Sequence, residues 1–130
     1  MAKETHYYTK FESGRFYHVY NRTIDKKKMF VNHGNYLYFL KKFSTYLDDL
    51  IEVYAYCLLD NHFHFLIRIK ENENLDLHNI VSKQFRLLFQ SYALAFNKTA
   101  KSNWHFVSNT IQKGFGGRTI PPFSLDILYP

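Results

Sequence analysis

The run His62-Phe63-His64-Phe65-Leu66-Ile67-Arg68-Ile69 constrains this chain more than any other stretch. Side chains alternate along a β-strand, so His62, His64, Leu66 and Arg68 fall on one face and Phe63, Phe65, Ile67 and Ile69 on the other. One face is suited to a core and the other to chemistry. A second run rich in β-branched and aromatic residues, Ile51 to Leu59, precedes it across the polar pair Asp60-Asn61, which predicts two strands joined as a hairpin. Two imidazoles two residues apart on a strand point side by side. Either they hold one divalent cation, with Arg68 farther along to meet an anionic substrate, or they are ordinary histidines on a solvated edge. The pair alone does not choose between these readings.

Around the hairpin, Phe16 to Arg22 alternates as a further strand, with Tyr17, Val19 and Asn21 on one face and Phe16, His18, Tyr20 and Arg22 on the other. Ile24 to Phe30 carries Asp25 and the run Lys26-Lys27-Lys28, a basic turn that is either a solvated loop or a phosphate contact. From Asn35 onward Tyr36, Phe39, Leu40, Phe43, Leu47 and Leu50 recur at helical spacing, and Asn32 or Asn35 is placed to cap that helix. Leu77 to Asn97 repeats the pattern through Val81, Phe85, Leu88, Tyr92 and Phe96. The order strand, helix, strand, strand, helix predicts an α+β, ferredoxin-like fold, an antiparallel sheet with helices packed on one face. Trp104 to Val107 is the candidate for a fourth strand. Gly114, Gly116, Gly117, Pro121 and Pro122 predict an irregular tail over 110–130, after a domain of 1–109.

With 130 residues the chain has room for one core and one domain. Its net charge of +6 points to a polyanion, because clustered Lys and Arg release counterions from phosphates. An aromatic fraction of 19% suits a single strand whose bases stack on rings, although the same rings also serve as core. Arg22, Lys26, Lys27, Lys28 and Arg68 are the cations best placed to contact such a strand. Cys57 is the only cysteine, so no intrachain disulfide forms, and the chain reads as cytosolic. No apolar segment opens the sequence and none has the length of a membrane span, so the expectation is a cytoplasmic protein without signal peptide or membrane partner.

Three ordered motifs carry a resemblance: Tyr17-His18-Val19-Tyr20-Asn21-Arg22, the hairpin from Tyr56 through His62-Phe63-His64 to Ile67, and Ser91-Tyr92 with Phe96-Asn97. Together they resemble the small single-tyrosine transposases of insertion sequences, the His-hydrophobe-His family, and the relatives that process repetitive palindromic DNA. The likeness runs from Phe16 to Lys98. It implies a ferredoxin-like sheet that forms a homodimer and a substrate of single-stranded DNA folded as a hairpin. His62 and His64 are implied as ligands of a divalent metal, Mg²⁺ or Mn²⁺. In that family a tyrosine oxygen attacks the metal-polarised phosphate, leaving a phosphotyrosine and a free 3′ hydroxyl.

The family's nucleophile sits on a further helix after the last strand, and no such helix is legible here. The remaining candidates are Tyr92, on the apolar stripe of the second helix, and Tyr129, next to Pro130; neither matches the nucleophile's motif. Where relatives run Thr-Pro-Phe-Lys-Arg after that helix, this chain has Thr110-Ile111-Gln112-Lys113-Gly114. The string ACACCATTCAAAAGGG reads as the first peptide from its first base and as the second from its third, so a frameshift accounts for the tail. The expectation is a chain that binds hairpin DNA and metal but is deficient in cleavage. Two other readings stay open. An RNA-binding module of the same topology would use Tyr54 and Tyr56 as a stacking platform, although nothing resembles the Arg-Gly-Phe aromatic signature of such modules. A small metal-dependent hydrolase would keep the histidine pair, but it lacks a further ligand motif such as His-Glu-x-x-His.

Overall fold

A computed structural model of the chain describes residues 10–102 and the backbone of residues 112–113. Strand β1 spans Phe16–Arg22, and its alternation buries Tyr17, Val19 and Asn21. Helix α1 spans His33–Leu47 and is followed by β2 at Ile51–Leu59 and β3 at His62–Ile69. Helix α2 spans Leu77–Ala100, and a two-residue strand, β4, lies at Gln112–Lys113. The sheet order is β2-β3-β1-β4 with every neighbouring pair antiparallel. Both helices pack against one face of this sheet, the α+β arrangement expected from the order of elements.

Both candidate caps of α1 are used, in a reciprocal pair. Asn32 Oδ1 accepts from the Asn35 N–H at 2.9 Å while Asn35 Oδ1 accepts from the Asn32 N–H at 3.2 Å. Two of the unpaired amides at the helix start are satisfied in this way. The helix stops at Leu47 rather than continuing to Leu50. Asp48 and Asp49 follow, two carboxylates at the negative end of the helix dipole, where anions are disfavoured. Leu50 instead turns the chain, donating to Leu47 O and accepting from the Lys70 N–H, both at 2.9 Å.

The aromatic residues between helices and sheet interlock. Phe39 sits at the centre, with Phe63 at 5.3 Å, Phe30 at 5.4 Å and Tyr92 edge-on at 5.1 Å between ring centres. Phe43 stacks on Phe65 at 4.1 Å with the planes 7° apart. The predicted stripe of α2, Val81, Phe85, Leu88, Tyr92 and Phe96, is buried throughout, along with Leu77 and Phe89. Phe11, ahead of the first strand, is a core residue that sequence periodicity does not reveal, stacked on Phe85 and edge-on to Tyr17.

Two details depart from the sequence reading. The strand that completes the sheet pairs Val19 and Tyr20 of β1 with Lys113 and Gln112, beyond residue 109 where irregular chain is expected; Trp104 to Val107 lie outside the described residues. So short a ladder is made by main-chain hydrogen bonds and needs no side-chain alternation, so the pattern does not announce it. A β-bulge between Val53 and Ala55 also separates Tyr54 from Tyr56. Tyr56 stays opposite Phe65 on the helix side, with ring centres 5.5 Å apart, whereas Tyr54 meets Phe16 at 5.1 Å on the other face. The platform of Tyr54 and Tyr56 is therefore not formed, because one extra residue in a strand shifts the facing of all that follow.

Candidate metal centre and nucleic-acid interface

The face of the sheet away from the helices is built in cross-strand rows. Arg22 of β1 lies opposite His62, Tyr20 opposite His64, and His18 opposite Leu66. On the other side of β3, Leu59 lies opposite His62 and the buried Cys57 opposite His64. His62 and His64 are both half-buried, with ring centres 5.2 Å apart and planes nearly perpendicular at 87°. Residues diagonal across an antiparallel pair remain within reach of long side chains. That geometry brings in a third imidazole, His18, whose Nε2 lies 2.8 Å from His64 Nδ1. Alternation already assigns His18 to the face of Arg22, but only the register of β1 on β3 places it against His64. Tyr20 joins the same group, its ring centre 4.9 Å from that of His18 and 5.9 Å from that of His64.

All three histidines are held in the neutral form near neutral pH. Burial pushes His64 down to about 4, helped by the neighbouring His18 and His62. His62 is lowered by burial; Asp60 opposes the shift and Arg22 adds to it. His18 is lowered by burial. A neutral imidazole has the lone pair that a metal needs, so this environment removes proton competition. His62 Nδ1 lies 2.7 Å from Asn61 Oδ1, which only accepts, so Nδ1 carries the proton and the lone pair sits on Nε2. Two neutral imidazoles fit a divalent cation as two of its ligands. Of the two expected ions, nitrogen donors suit Mn²⁺ better than Mg²⁺, which prefers oxygen. Among the described residues no group of three or more His, Cys, Asp or Glu side chains is set to hold a metal.

The predicted nucleic-acid contacts divide between the two ends of the sheet. Arg22 ends β1 beside His62, and the exposed Lys26, Lys27 and Lys28 follow in a loop that begins with a short 3₁₀ turn, Ile24–Lys26. That loop is fastened to the hairpin turn by main-chain bonds. The Thr23 N–H donates to Asn61 O at 3.0 Å, and the Met29 and Phe30 N–H groups donate to Asp60 O at 2.7 and 3.2 Å. Within it the buried Thr23 hydroxyl donates to Lys27 O, and Asp25 and Lys26 adopt left-handed φ values of 55° and 57°. Non-glycine residues rarely take that conformation, so the loop's shape is imposed by its anchors. Arg68 is at the opposite end of β3, roughly 20 Å along the strand from His62. There its guanidinium is held by Glu52 at 3.2 Å and Glu71 at 2.9 Å. Gly14 (φ 77°) passes so close that a Cβ would lie 2.7 Å from Glu71 Oε2, which makes glycine the residue for that position.

Tyr92 lies among the core rings on the helix side of the sheet, and its hydroxyl donates to Met29 O at 2.5 Å. Burial raises its pKa far above the ordinary phenol value. The structure thus separates Tyr92 from the histidines, which face the other side. Tyr129 lies outside the described residues. Among the described residues no helix is long and apolar enough to cross a membrane.

No protein-family model matches the sequence, and no curated protein does. Among solved structures, the chain is similar to that of a REP-associated tyrosine transposase bound to a REP hairpin, with a TM-score of 0.51 and 11% identity over 92% of this chain. This chain spans about 65% of the length of that transposase. At such identity the likeness is one of fold.

Proposed function

We propose that this protein binds hairpin single-stranded DNA together with a divalent cation, in the manner of the single-tyrosine transposases it resembles. His62 and His64 are the cation ligands in this reading, and Arg22, Lys26, Lys27 and Lys28 contact phosphates. The observation that carries it is the convergence of these groups at one end of the sheet. The basic loop is hydrogen-bonded to Asp60 and Asn61, the turn that leads directly into His62. A fold shared with a hairpin-bound transposase supports the same reading at the level of architecture.

Each group has a physical task. Lysines in the loop neutralise backbone phosphates and release their counterions, a contribution that weakens with salt. Because the loop is tied to the hairpin turn, a phosphate held there stands at a set position relative to the imidazoles, and such alignment supplies much of the rate of phosphoryl transfer. A divalent cation, when bound, polarises a scissile phosphate and offsets charge growing on its oxygens. Arg68 belongs to a different part of the surface, where Glu52 and Glu71 hold it and make that end of the face less attractive to an anion. Tyr92 does not supply the attacking oxygen, since its phenol is buried and faces away from the histidines. Hairpin binding is the activity this arrangement supports, and its place in the core removes Tyr92 as the nucleophile.

The test compares a DNA hairpin with an RNA hairpin of equal length by fluorescence anisotropy, across salt concentrations and with or without Mn²⁺. The DNA hairpin should bind more tightly. Replacing Lys26, Lys27 and Lys28 by Ala should weaken it and flatten the salt dependence by about 0.7 in log–log slope for each phosphate that is no longer neutralised. Changing His62 and His64 to Ala should abolish Mn²⁺ binding while the folded circular dichroism signal persists. Preference for RNA, or wild-type protein that takes up no Mn²⁺, would overturn the reading. On a denaturing gel little or no covalent protein–DNA adduct is expected; a metal-dependent adduct that disappears in Tyr92→Phe would make Tyr92 the nucleophile after all.

A further inference from the structure

The histidine pair is ringed by groups that decide which of its nitrogens are open. An imidazole binds a metal through an unprotonated nitrogen, and which nitrogen that is depends on the hydrogen bond made by the other. His62 and His64 each have Nδ1 against a protein partner. For His62 the partner is Asn61 Oδ1 at 2.7 Å, and for His64 it is His18 Nε2 at 2.8 Å. The first contact has one direction, since an amide oxygen only accepts. In the second, two neutral imidazoles share one proton: either His64 Nδ1–H donates to His18 Nε2, or His18 Nε2–H donates to His64 Nδ1. The first arrangement leaves His64 Nε2 with its lone pair, matching His62; the second puts a proton on it.

We propose that Asn61 and His18 are positioning residues that hold His62 and His64 in the Nδ1–H form, so that the two Nε2 atoms are the paired donors to the cation. The proposal rests on the metal reading above and adds the residues that make the site selective for one nitrogen of each ring. The main chain of Asn61 is itself fixed, because its backbone carbonyl accepts from the Thr23 N–H while the backbone carbonyl of Asp60 accepts from the Met29 and Phe30 N–H groups. The basic loop therefore steadies the turn from which the Asn61 side chain reaches His62. His18 is fixed by its strand, since β1 pairs with β3 along seven residues from Phe16↔Arg68 to Arg22↔His62. Position 18 comes from one strand and position 61 from the hairpin turn, yet they do the same thing to successive ligands on β3. Losing an outer partner of this kind costs about 10- to 100-fold in metal affinity, because the ring then turns or adopts the other tautomer.

The experiment reads side-chain ¹⁵N shifts of the histidines in metal-free protein at pH 7.5 and, separately, Mn²⁺ affinity by electron paramagnetic resonance. Wild type should show Nδ1 protonated and Nε2 unprotonated in both His62 and His64. Asn61→Ala should move only His62 toward the Nε2–H form, and His18→Phe only His64, each with Mn²⁺ affinity about 10- to 100-fold weaker. His18→Gln and Asn61→Asp, which keep an acceptor in place, should restore the tautomer and most of the affinity. These rescues keep the test decisive even where His18→Phe disturbs the sheet. A wild-type His64 carrying its proton on Nε2 would refute the inference, and so would variants that bind Mn²⁺ as tightly as wild type, the latter leaving the metal site intact. If wild type shows both Nδ1–H tautomers but binds no Mn²⁺, the metal reading is lost and the positioning by Asn61 and His18 stands.

Discussion

Tyr92 and His64 illustrate two consequences of taking a titratable side chain out of water. The Tyr92 phenol is kept protonated by burial and anchors α2 to the basic loop through Met29 O. Tyr92→Phe leaves that carbonyl without the hydroxyl and should cost about 1–2 kcal/mol in urea unfolding, with hairpin binding unchanged. His64, in contrast, is kept unprotonated, its folded value of about 4 lying below the ordinary 6.5. Between those two values the unfolded chain takes up a proton that the folded chain refuses. Stability from this group is therefore complete above pH 6.5 and is lost as pH falls toward 4. Allowing for solvent screening of a half-buried ring, the loss should be about 1–2 kcal/mol, measured by denaturation in chelator-treated protein. His64→Gln should flatten the slope over that range; an equally steep slope in the variant would assign it to other groups.

At the scale of elements, the ends of strands and helices carry as much information as their middles. Helix α1 begins where Asn32 and Asn35 exchange side-chain bonds with each other's amides. Asn32→Ala should cost about 1 kcal/mol and lower the thermal midpoint, whereas Asn32→Asp should retain most of the stability because its carboxylate accepts the same bond. Equal loss in both variants would mean that the cap is not the source. The hairpin turn has a further role, since the oxygens of Asp60 and Asn61 receive three amides from the loop of residues 23–30. Turn and loop are thus joined by main-chain hydrogen bonds, next to the Asn61 side chain that contacts His62.

For the whole molecule, the edge formed by β2 is where association between copies is to be tested. Its nine residues have no partner on their outer side among the described residues, and Val53, Tyr54 and Tyr56 are 44%, 52% and 47% exposed. An unprotected apolar edge of that length invites pairing, which a homodimer satisfies by symmetry. Sedimentation at micromolar concentration should give a dimer mass, and Val53→Lys should shift it to monomer. A wild-type monomer at that concentration would show that the edge is covered in another way.

Sequence by itself determined which residues face which side. Period-two alternation sorted His62, His64 and Arg68 from Phe63, Phe65 and Ile67, and three-to-four spacing found the buried stripes of both helices, because each period follows from local backbone geometry. The element order likewise led to the sheet with helices on one face. Only tertiary structure decided what lies beside what. His18 meets His64 through strand register, the loop that carries Lys26 to Lys28 is tied by hydrogen bonds of Thr23, Met29 and Phe30 to the distant turn that precedes His62, and Arg68 is occupied by Glu52 and Glu71. A single bulge parted Tyr54 from Tyr56, and a two-residue ladder closed the sheet in a stretch without strand character. Those outcomes depend on pairing between distant segments, and the pattern within any one segment carries no record of its partner.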